Sequence, residues 1–333
     1  MPDLPRGKVS SELLRSVVFR SLGWEDPDVL LGPGIGEDAA IIRVGSRLIA
    51  FKSDPITGSV DEVGWLAVFV NANDIATRGA VPRWFIPSIL LPYGSSESDL
   101  REICAQIGEA ASEVGASVVG GHTEVTAGIP RPIVAGSMIG ILEGDCYFTS
   151  GGSREGDLLY MTKSAGLEGT AILSSDSRIT SKFGSAFRSR CKSLLKEISV
   201  VKECSILRRL RGVTSMHDVT EGGLLGGVWE LAEAAGKGIE INLLSVPVLE
   251  ETRKVCEVLG LDPFRLIGSG SLLFTAQPAA APAIEAELSS SSVRFSKIGV
   301  ISGDASRRLC KGLDGKTFEI GPPSSDELWK GLG

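Results

Sequence analysis

The sequence predicts an α+β fold in two domains, on three observations. The chain has 333 residues, enough for two ordinary domains. Apolar periods of two and of 3.6 residues alternate irregularly in both halves, without the regular strand–helix rhythm of a doubly wound sheet. Finally, the run Thr149-Ser150-Gly151-Gly152-Ser153-Arg154-Glu155-Gly156 interrupts the apolar patterning. We place the boundary there, with domains at 1–150 and 151–333.

In the first half, Leu13, Leu14, Val17, Val18 and Leu22 share one side of an expected helix over 10–22, with Ser10 or Ser11 as its cap. A glycine loop from Gly32 to Gly36 follows. Strands are expected at Ala39–Val44 and Arg47–Lys52, joined by a hairpin turn. Residues 61–78 have helical spacing, and Trp84–Leu91 reads as a strand bracketed by prolines. Ser98–Val114 reads as a helix, Ala116–Val119 as a short buried strand, and Arg131–Leu142 as a long strand. In the second half, strands are expected at Leu158–Thr162, Val213–Met216, Ile239–Leu243, Ser271–Thr275, Val293–Val300 and Thr317–Ile320. Helices are expected from Leu167 to Leu173, across the basic stretch 181–211, and at Gly222–Ala235, Glu250–Leu259 and 277–289.

Composition narrows the function classes. Hydrophobic residues make up 43% and charged residues 23%, so a sizeable core can form. The net charge of −7 and the lack of a basic patch beyond Arg208-Arg209-Leu210-Arg211 argue against nucleic acid as a partner. Six scattered cysteines, none in a C-x-x-C pair, suggest neither a zinc site nor a redox pair. Met1–Ser10 is polar, and no apolar run is long enough to span a membrane. A cytoplasmic protein with reduced thiols and no membrane association is expected.

The most informative residues are acidic groups set beside small ones. They occur in Gly36-Glu37-Asp38-Ala39-Ala40, Ser53-Asp54-Pro55 and Asn71-Ala72-Asn73-Asp74. Adjacent Glu37 and Asp38 repel each other unless a cation lies near. Asp54 is expected at a strand end, a rigid base beside an open loop. Asn71, Asn73 and Asp74 interrupt an apolar helix, where Asn and Asp each cost roughly 0.5 kcal/mol relative to Ala. An Asp74–Arg78 pair at i,i+4 offsets only ~0.2–0.5 kcal/mol of this. Carboxylates distributed in this way suit Mg²⁺ carrying a nucleotide's phosphates.

Two glycine turns extend the pattern. Gly120-Gly121-His122-Thr123-Glu124 follows a short apolar run, and paired glycines let backbone approach a phosphate or base closely. Met216-His217-Asp218-Val219-Thr220-Glu221-Gly222-Gly223-Leu224 reads as strand, polar turn and apolar helix. Thr220 is a credible N-cap, and such a helix start also receives anions.

Taken in order, these segments resemble the superfamily of aminoimidazole ribonucleotide synthetase, the PurM-like proteins. Asn73-Asp74-Ile75-Ala76 with Gly79-Ala80, and Gly268-Ser269-Gly270-Ser271-Leu272-Leu273, belong to the same match. Gly166-Leu167-Glu168-Gly169-Thr170-Ala171-Ile172-Leu173 makes the HypE-like hydrogenase maturation factors the most similar branch. The resemblance implies a two-domain PurM-like fold, with an N-terminal domain that binds ATP and Mg²⁺ and pairs its sheet across a homodimer. It also implies a C-terminal α/β sandwich domain that completes the active-site cleft. Asp38, Asp54 and Asp74 match the positions that hold Mg²⁺, and Glu37 stands where many members have a second Asp. Gly36, Asn73, Gly120, Gly121 and His122 match the nucleotide side; Asp218, Thr220, Gly222 and Gly223 match the turn facing the phosphates or the acceptor. The implied reaction is ATP-dependent phosphorylation of an amide- or carbonyl-type oxygen on a small or protein-borne acceptor, with the general base unassigned.

Two departures modify this expectation. HypE-like members carry a cysteine-bearing tail, whereas no cysteine follows Cys310 here, so action on such a tail is not expected. Glu221 stands where many members carry Arg, reversing a charge beside the anion turn. Selenophosphate synthesis is disfavoured, since there is no N-terminal Cys beside a glycine-rich Lys loop and Lys8 is the only early candidate to contact phosphate. The alternatives are a small-molecule kinase resembling thiamine monophosphate kinase, and a nucleotide-binding maturation or regulatory protein without turnover.

Overall fold

The computed structural model describes residue 4 and residues 6–58, 61–323 and 325–332. The chain divides into two compact units. The N-terminal unit comprises Asp26–Gly32 and Asp38–Tyr147. The C-terminal unit comprises the chain up to Glu25, Pro33–Glu37, and everything from Phe148 onward. Among the described residues, each unit has its own seven-stranded sheet, and helices accompany both sheets. The fold class is mixed α+β.

The first helix, α1 (Ser11–Ser16), is shorter than the expected 10–22 helix. Ser10 caps it by accepting the Leu13 N–H at 3.3 Å, and a 3-10 turn at Val18–Arg20 follows. None of the α1 residues is buried, and Val17 is 59% exposed. Without apolar burial, so short a helix has little reason to lengthen.

The N-terminal unit contains β1 (Val29–Leu31), β2 (Ala40–Val44), β3 (Arg47–Ile56), α2 (Val63–Thr77), β4 (Val81–Pro92), α3 (Glu97–Val114), β5 (Ser117–Val118), β6 (His122–Thr126) and β7 (Ile133–Ile141). Its sheet runs β1-β2-β3-β7-β4-β5, with β6 also on β4. Strand β3 continues through Asp54-Pro55 rather than stopping there, so Asp54 lies inside a strand. The last β2 partner on β3 is Phe51, and β7 alone continues the pairing as far as Ile56. Pro55 therefore sits on an open edge, where its missing N–H is tolerated. The expected buried strand near 116–119 is the two-residue β5, which is exposed at the sheet edge. Helix α3 starts with a capping box between Ser96 and Asp99, and ends at left-handed Gly115.

Helix α2 packs on β3, β4 and β7 on one side and on α3 on the other, and all its residues from Leu66 to Thr77 are buried. Its approach to β7 is close. Register aligns Gly136 of β7 with Asp54 on β3 and with Pro87 on β4. A Cβ at Gly136 would meet Asn71 Nδ2 and Phe85 Cε2, both at 2.6 Å. Glycine is what lets the helix settle onto this part of the sheet.

The C-terminal unit adds β8 (Leu158–Thr162), α4 (Leu167–Leu173), α5 (Ser177–Ser193), α6 (Val201–Leu207), β9 (Val213–Asp218), α7 (Gly223–Ala235), β10 (Gly238–Asn242), α8 (Glu250–Leu259), β11 (Leu272–Ala276), α9 (Ala281–Ser290), β12 (Phe295–Ser302), β13 (Arg308–Lys311), β14 (Thr317–Glu319) and α10 (Glu327–Gly331). Its strand order is β14-β13-β10-β12-β8-β11-β9. Leu224, Leu225, Val228 and Leu231 of α7 share a buried cluster with Leu159, Met161 and Leu273 of the sheet. A second cluster joins Leu173, Ile179, Phe187, Val255 and Leu328 from α4, α5, α8 and α10. The basic stretch divides into α5, a 3-10 turn and α6, and Gly184 kinks α5. Strands β1, β6 and β13 and helix α10 were not anticipated; His122–Thr126, read as part of a glycine turn, pairs with β4. No described helix is long and apolar enough to cross a membrane.

The Gly136 contact yields a test. Gly136→Ala should destabilise the protein by roughly 1–3 kcal/mol through overpacking, measured as a lower urea midpoint. An unchanged midpoint would mean that α2 can move off the sheet freely.

Candidate functional site

In the N-terminal unit, strand alternation places Lys52 and Asp54 on the same face of β3, the face that α2 covers. Lys52 Nζ lies 3.1 Å from Asp74 Oδ2 and 3.7 Å from Asp54 Oδ2. Asp74 is 3% exposed and Asp54 is 38% exposed. One turn further along α2, fully buried Arg78 donates from Nη2 to Asp38 Oδ2 at 2.9 Å. Arg78 thus pairs with Asp38, and Asp74 with Lys52. Carboxylate oxygens of Asp38 and Asp74 lie within 4.8 Å of each other. Burial lowers the Lys52 pKa, but the charges of Asp74, Asp54 and Asp38 outweigh it and raise the pKa above the usual lysine value. Lys52 therefore stays protonated among three acids.

Asn71 aligns this group. Its Oδ1 accepts the Asp54 N–H at 2.9 Å, and its Nδ2 donates to the Asp54 carbonyl at 3.1 Å. The side chain thereby serves the open edge of β3 as a neighbouring strand would. Asn73 is also fully buried in α2. Hard, closely spaced carboxylate oxygens suit Mg²⁺, and a cationic ammonium already resides between two of them. The closely spaced oxygens of Asp38 and Asp74 therefore fit a divalent cation.

The C-terminal unit carries polar groups of its own. Buried Asp218 ends β9, and the chain passes through Thr220 and Glu221 to left-handed Gly222 and Gly223, where α7 begins. Gly222, rather than Thr220, is the N-cap, and no side chain caps the helix. His217 is buried, with Nδ1 3.2 Å from Ser150 Oγ and Nε2 3.4 Å from Glu230 Oε2. Lys8 Nζ donates to Glu230 Oε1 at 2.6 Å. Burial pushes the Glu230 pKa up, but His217 and Lys8 oppose this and leave it below the ordinary glutamate value. Glu37 accepts the N–H groups of Ser150, at 3.2 Å, and Gly151, at 3.4 Å. Gly36, with φ of 78°, is pressed against α7, and a Cβ there would lie 2.6 Å from the Glu230 carbonyl oxygen.

Glu168, in the first turn of α4, is 4% exposed. Burial pushes its pKa up to about 7; hydrogen bonds to Ser269 oppose this, while the charges of Asp326 and Asp218 add to it. Asp326 is a second buried acid of this unit, also raised by burial, to about 6.

Of the residues singled out in the sequence, Asp38, Asp54 and Asp74 gather around Lys52. Gly36, Glu37, Asp218, Thr220, Gly222 and Gly223 belong to the C-terminal unit. Gly120, Gly121 and His122 stand in the exposed β5–β6 edge, where His122 Nε2 lies 3.0 Å from Glu124 Oε2. Sequence reasoning missed Lys52, Glu168, Glu230 and Asp326. Lys52 did leave a signal, as a lysine two residues before Asp54 at an inward-facing strand position.

The buried Glu168 carboxyl has a consequence for stability. Its folded pKa exceeds the unfolded value, so its contribution is fully present below about 4.5 and is lost as pH rises through about 7. The loss is on the order of 3 kcal/mol. Glu168→Gln should flatten this part of the profile and raise the urea midpoint at pH 8 relative to the parent chain. Identical pH profiles for the two proteins would contradict the assignment.

Comparison with known proteins follows the same division. The family models for the AIR synthase related protein match at residues 36–142, for its N-terminal domain, and 154–309, for its C-terminal domain. A hydrogenase expression/formation protein of Methanocaldococcus jannaschii is 30% identical over 272 residues, covering 80% of this chain and 79% of its own. The carbamoyl dehydratase HypE of Rhodobacter capsulatus is 30% identical over 293 residues, covering 84% of this chain and 82% of its own. A crystal structure of hydrogenase maturation protein HypE in complex with ATP superposes with a TM-score of 0.69 at 23% identity, covering 98% of both chains. By fold and by sequence, the chain belongs to the AIR synthase related, PurM-like family, with HypE proteins among its relatives.

Proposed function

We propose that the protein is an ATP- and Mg²⁺-dependent enzyme that phosphorylates a carboxamide- or carbonyl-type oxygen of an acceptor, converting it into a leaving group. The observation that carries this reading is the gathering of Asp38, Asp54 and Asp74 around Lys52 on the covered face of β3. Supporting it, the R. capsulatus relative is a carbamoyl dehydratase, and the HypE compared above binds ATP. An amide oxygen is a poor leaving group, and transfer of a phosphoryl group to it lets the C–O bond break with departure of phosphate.

Asp38, Asp54 and Asp74 would hold Mg²⁺. When bound, the ion supplies positive charge to the transferring phosphoryl group. Lys52 contributes a fixed positive charge and limits repulsion among the acids. Arg78 fixes the Asp38 carboxylate, and Asn71 fixes the backbone beneath Asp54, so the donors are oriented before any ligand arrives. The Thr220–Gly223 turn, with backbone N–H groups at the start of α7, receives an anionic group. Carboxylates engaged with a metal are weak bases, so none of the three is assigned that role.

The same reading includes a homodimer formed through the uncovered face of the N-terminal sheet. Phe51, Ile139 and Trp84 align across β3, β7 and β4 on that face. Phe51 is 38% exposed, Trp84 36%, and neighbouring Ile86 38%. An apolar row of this kind fits a second copy of the sheet.

Asp74→Asn tests the reading most simply. Calorimetric titration with Mg-ATP should show at least roughly tenfold weaker binding, the scale of a lost charged contact. The thermal melt should still be cooperative. Unchanged affinity in the folded variant would contradict the proposed role of Asp74.

A further inference from the structure

Glu221, the residue that reverses a charge beside the anion turn, is engaged by both ends of the chain's own structure. Its Oε1 accepts the Lys8 backbone N–H at 3.0 Å and the Trp329 Nε1–H at 2.9 Å. Trp329 belongs to α10, whose N-cap is Asp326. The Asp326 carboxylate is 1% exposed. It accepts three backbone N–H groups: Gly222 at 2.6 Å, Ile267 at 3.1 Å and Leu328 at 2.7 Å. Two of these come from outside its own segment, and one is the N-cap of α7. Pro323 also lies over Gly222, 3.0 Å from where a Cβ would stand.

We propose that residues 325–332 form a self-inhibiting strap across the Glu221–Gly223 turn, in which the two carboxylate oxygens of Asp326 occupy the Gly222 and Ile267 N–H groups and Glu221 clasps Trp329. A phosphate or carboxylate oxygen reaches those N–H groups only after Asp326 withdraws. The inference rests on the reading of this turn as a receiver of anions.

The strap is anchored at its far side and held at a cost at the turn. Leu328 packs in the cluster of Leu173, Phe187 and Val255, and Arg178 Nη2 donates to the Gly331 carbonyl at 3.2 Å. At the turn, burial outweighs the three N–H donors and pushes the Asp326 pKa up to about 6. Glu168 is a second buried acid that feels the Asp326 charge, and its Oε2 has no hydrogen-bond partner. An ionised carboxylate placed against another acid is a latch that an external oxyanion with better-matched donors can replace.

The test uses the full chain and inorganic phosphate as probe. Asp326→Asn turns an amide N–H₂ toward the Gly222 N–H, so the latch should open. Phosphate should then bind the variant at least tenfold more tightly than the parent chain and slow amide hydrogen exchange at Gly222 and Ile267. Equal, measurable phosphate affinity in both proteins overturns the strap while leaving the anion turn intact. Absence of phosphate binding in both overturns the strap and the anion reading together. Should Asp326→Asn fail to fold, Glu221→Gln provides the second arm. It weakens the clasp without disturbing the core, and exchange across 325–332 should quicken at least threefold; unchanged protection there overturns the clasp.

Discussion

The N-terminal unit depends on keeping several carboxylates out of water beside one another. Asp38 and Asp74 are nearly fully buried, and their oxygens approach within 4.8 Å. Two cations make this tolerable. Lys52 reaches across from β3, and Arg78 lies fully buried one helical turn beyond Asp74. Removing one member of a buried pair commonly costs roughly 3–5 kcal/mol, because the other charge is left uncompensated. The polar residues of α2 are therefore part of what holds the helix to its sheet, and they explain why a helix apolar on most sides interrupts itself at Asn71, Asn73 and Asp74. Gly136 completes the arrangement by admitting Asn71 close enough to bracket the Asp54 backbone.

The C-terminal unit solves a related problem differently. Some of its acids are held by backbone N–H groups, and others by cations or by a histidine. Glu37 takes Ser150 and Gly151, Asp326 takes Gly222 and Ile267, and Glu230 sits between Lys8 and His217. Backbone donors carry no compensating charge, so burial still raises Asp326 and Glu168. Such carboxyls change protonation near neutrality, whereas a carboxylate paired with a buried guanidinium stays ionised.

Much of this was legible in the residues. The strand Leu158–Thr162 and the helices Leu167–Leu173 and Glu250–Leu259 fall where periodicity put them, because each buries a continuous apolar face. The fold class followed from the irregular alternation of apolar periods, and the family match from motif order. Two short strands were not legible: β1 and β13 have three and four residues, too few for a period to register. The polarity of Asp326-Glu327 hid α10, since the sequence gives no hint that backbone N–H groups await those carboxylates. Asp54 was expected at a strand end because Asp-Pro ordinarily breaks a strand, and only the one-sided pairing of β3 beyond Phe51 reveals an edge where proline is harmless. One partner was hidden as well: Arg78 reaches Asp38, a contact forty residues away in sequence.

The central claim is that the acids around Lys52 bind a nucleotide through a divalent cation. Equilibrium binding of ATP to the full chain, in millimolar Mg²⁺ and again in excess EDTA, tests it most directly. The account expects ATP affinity to fall at least tenfold without the cation, since Asp38, Asp54 and Asp74 would then face bare phosphates. Equal affinity under the two conditions would contradict it.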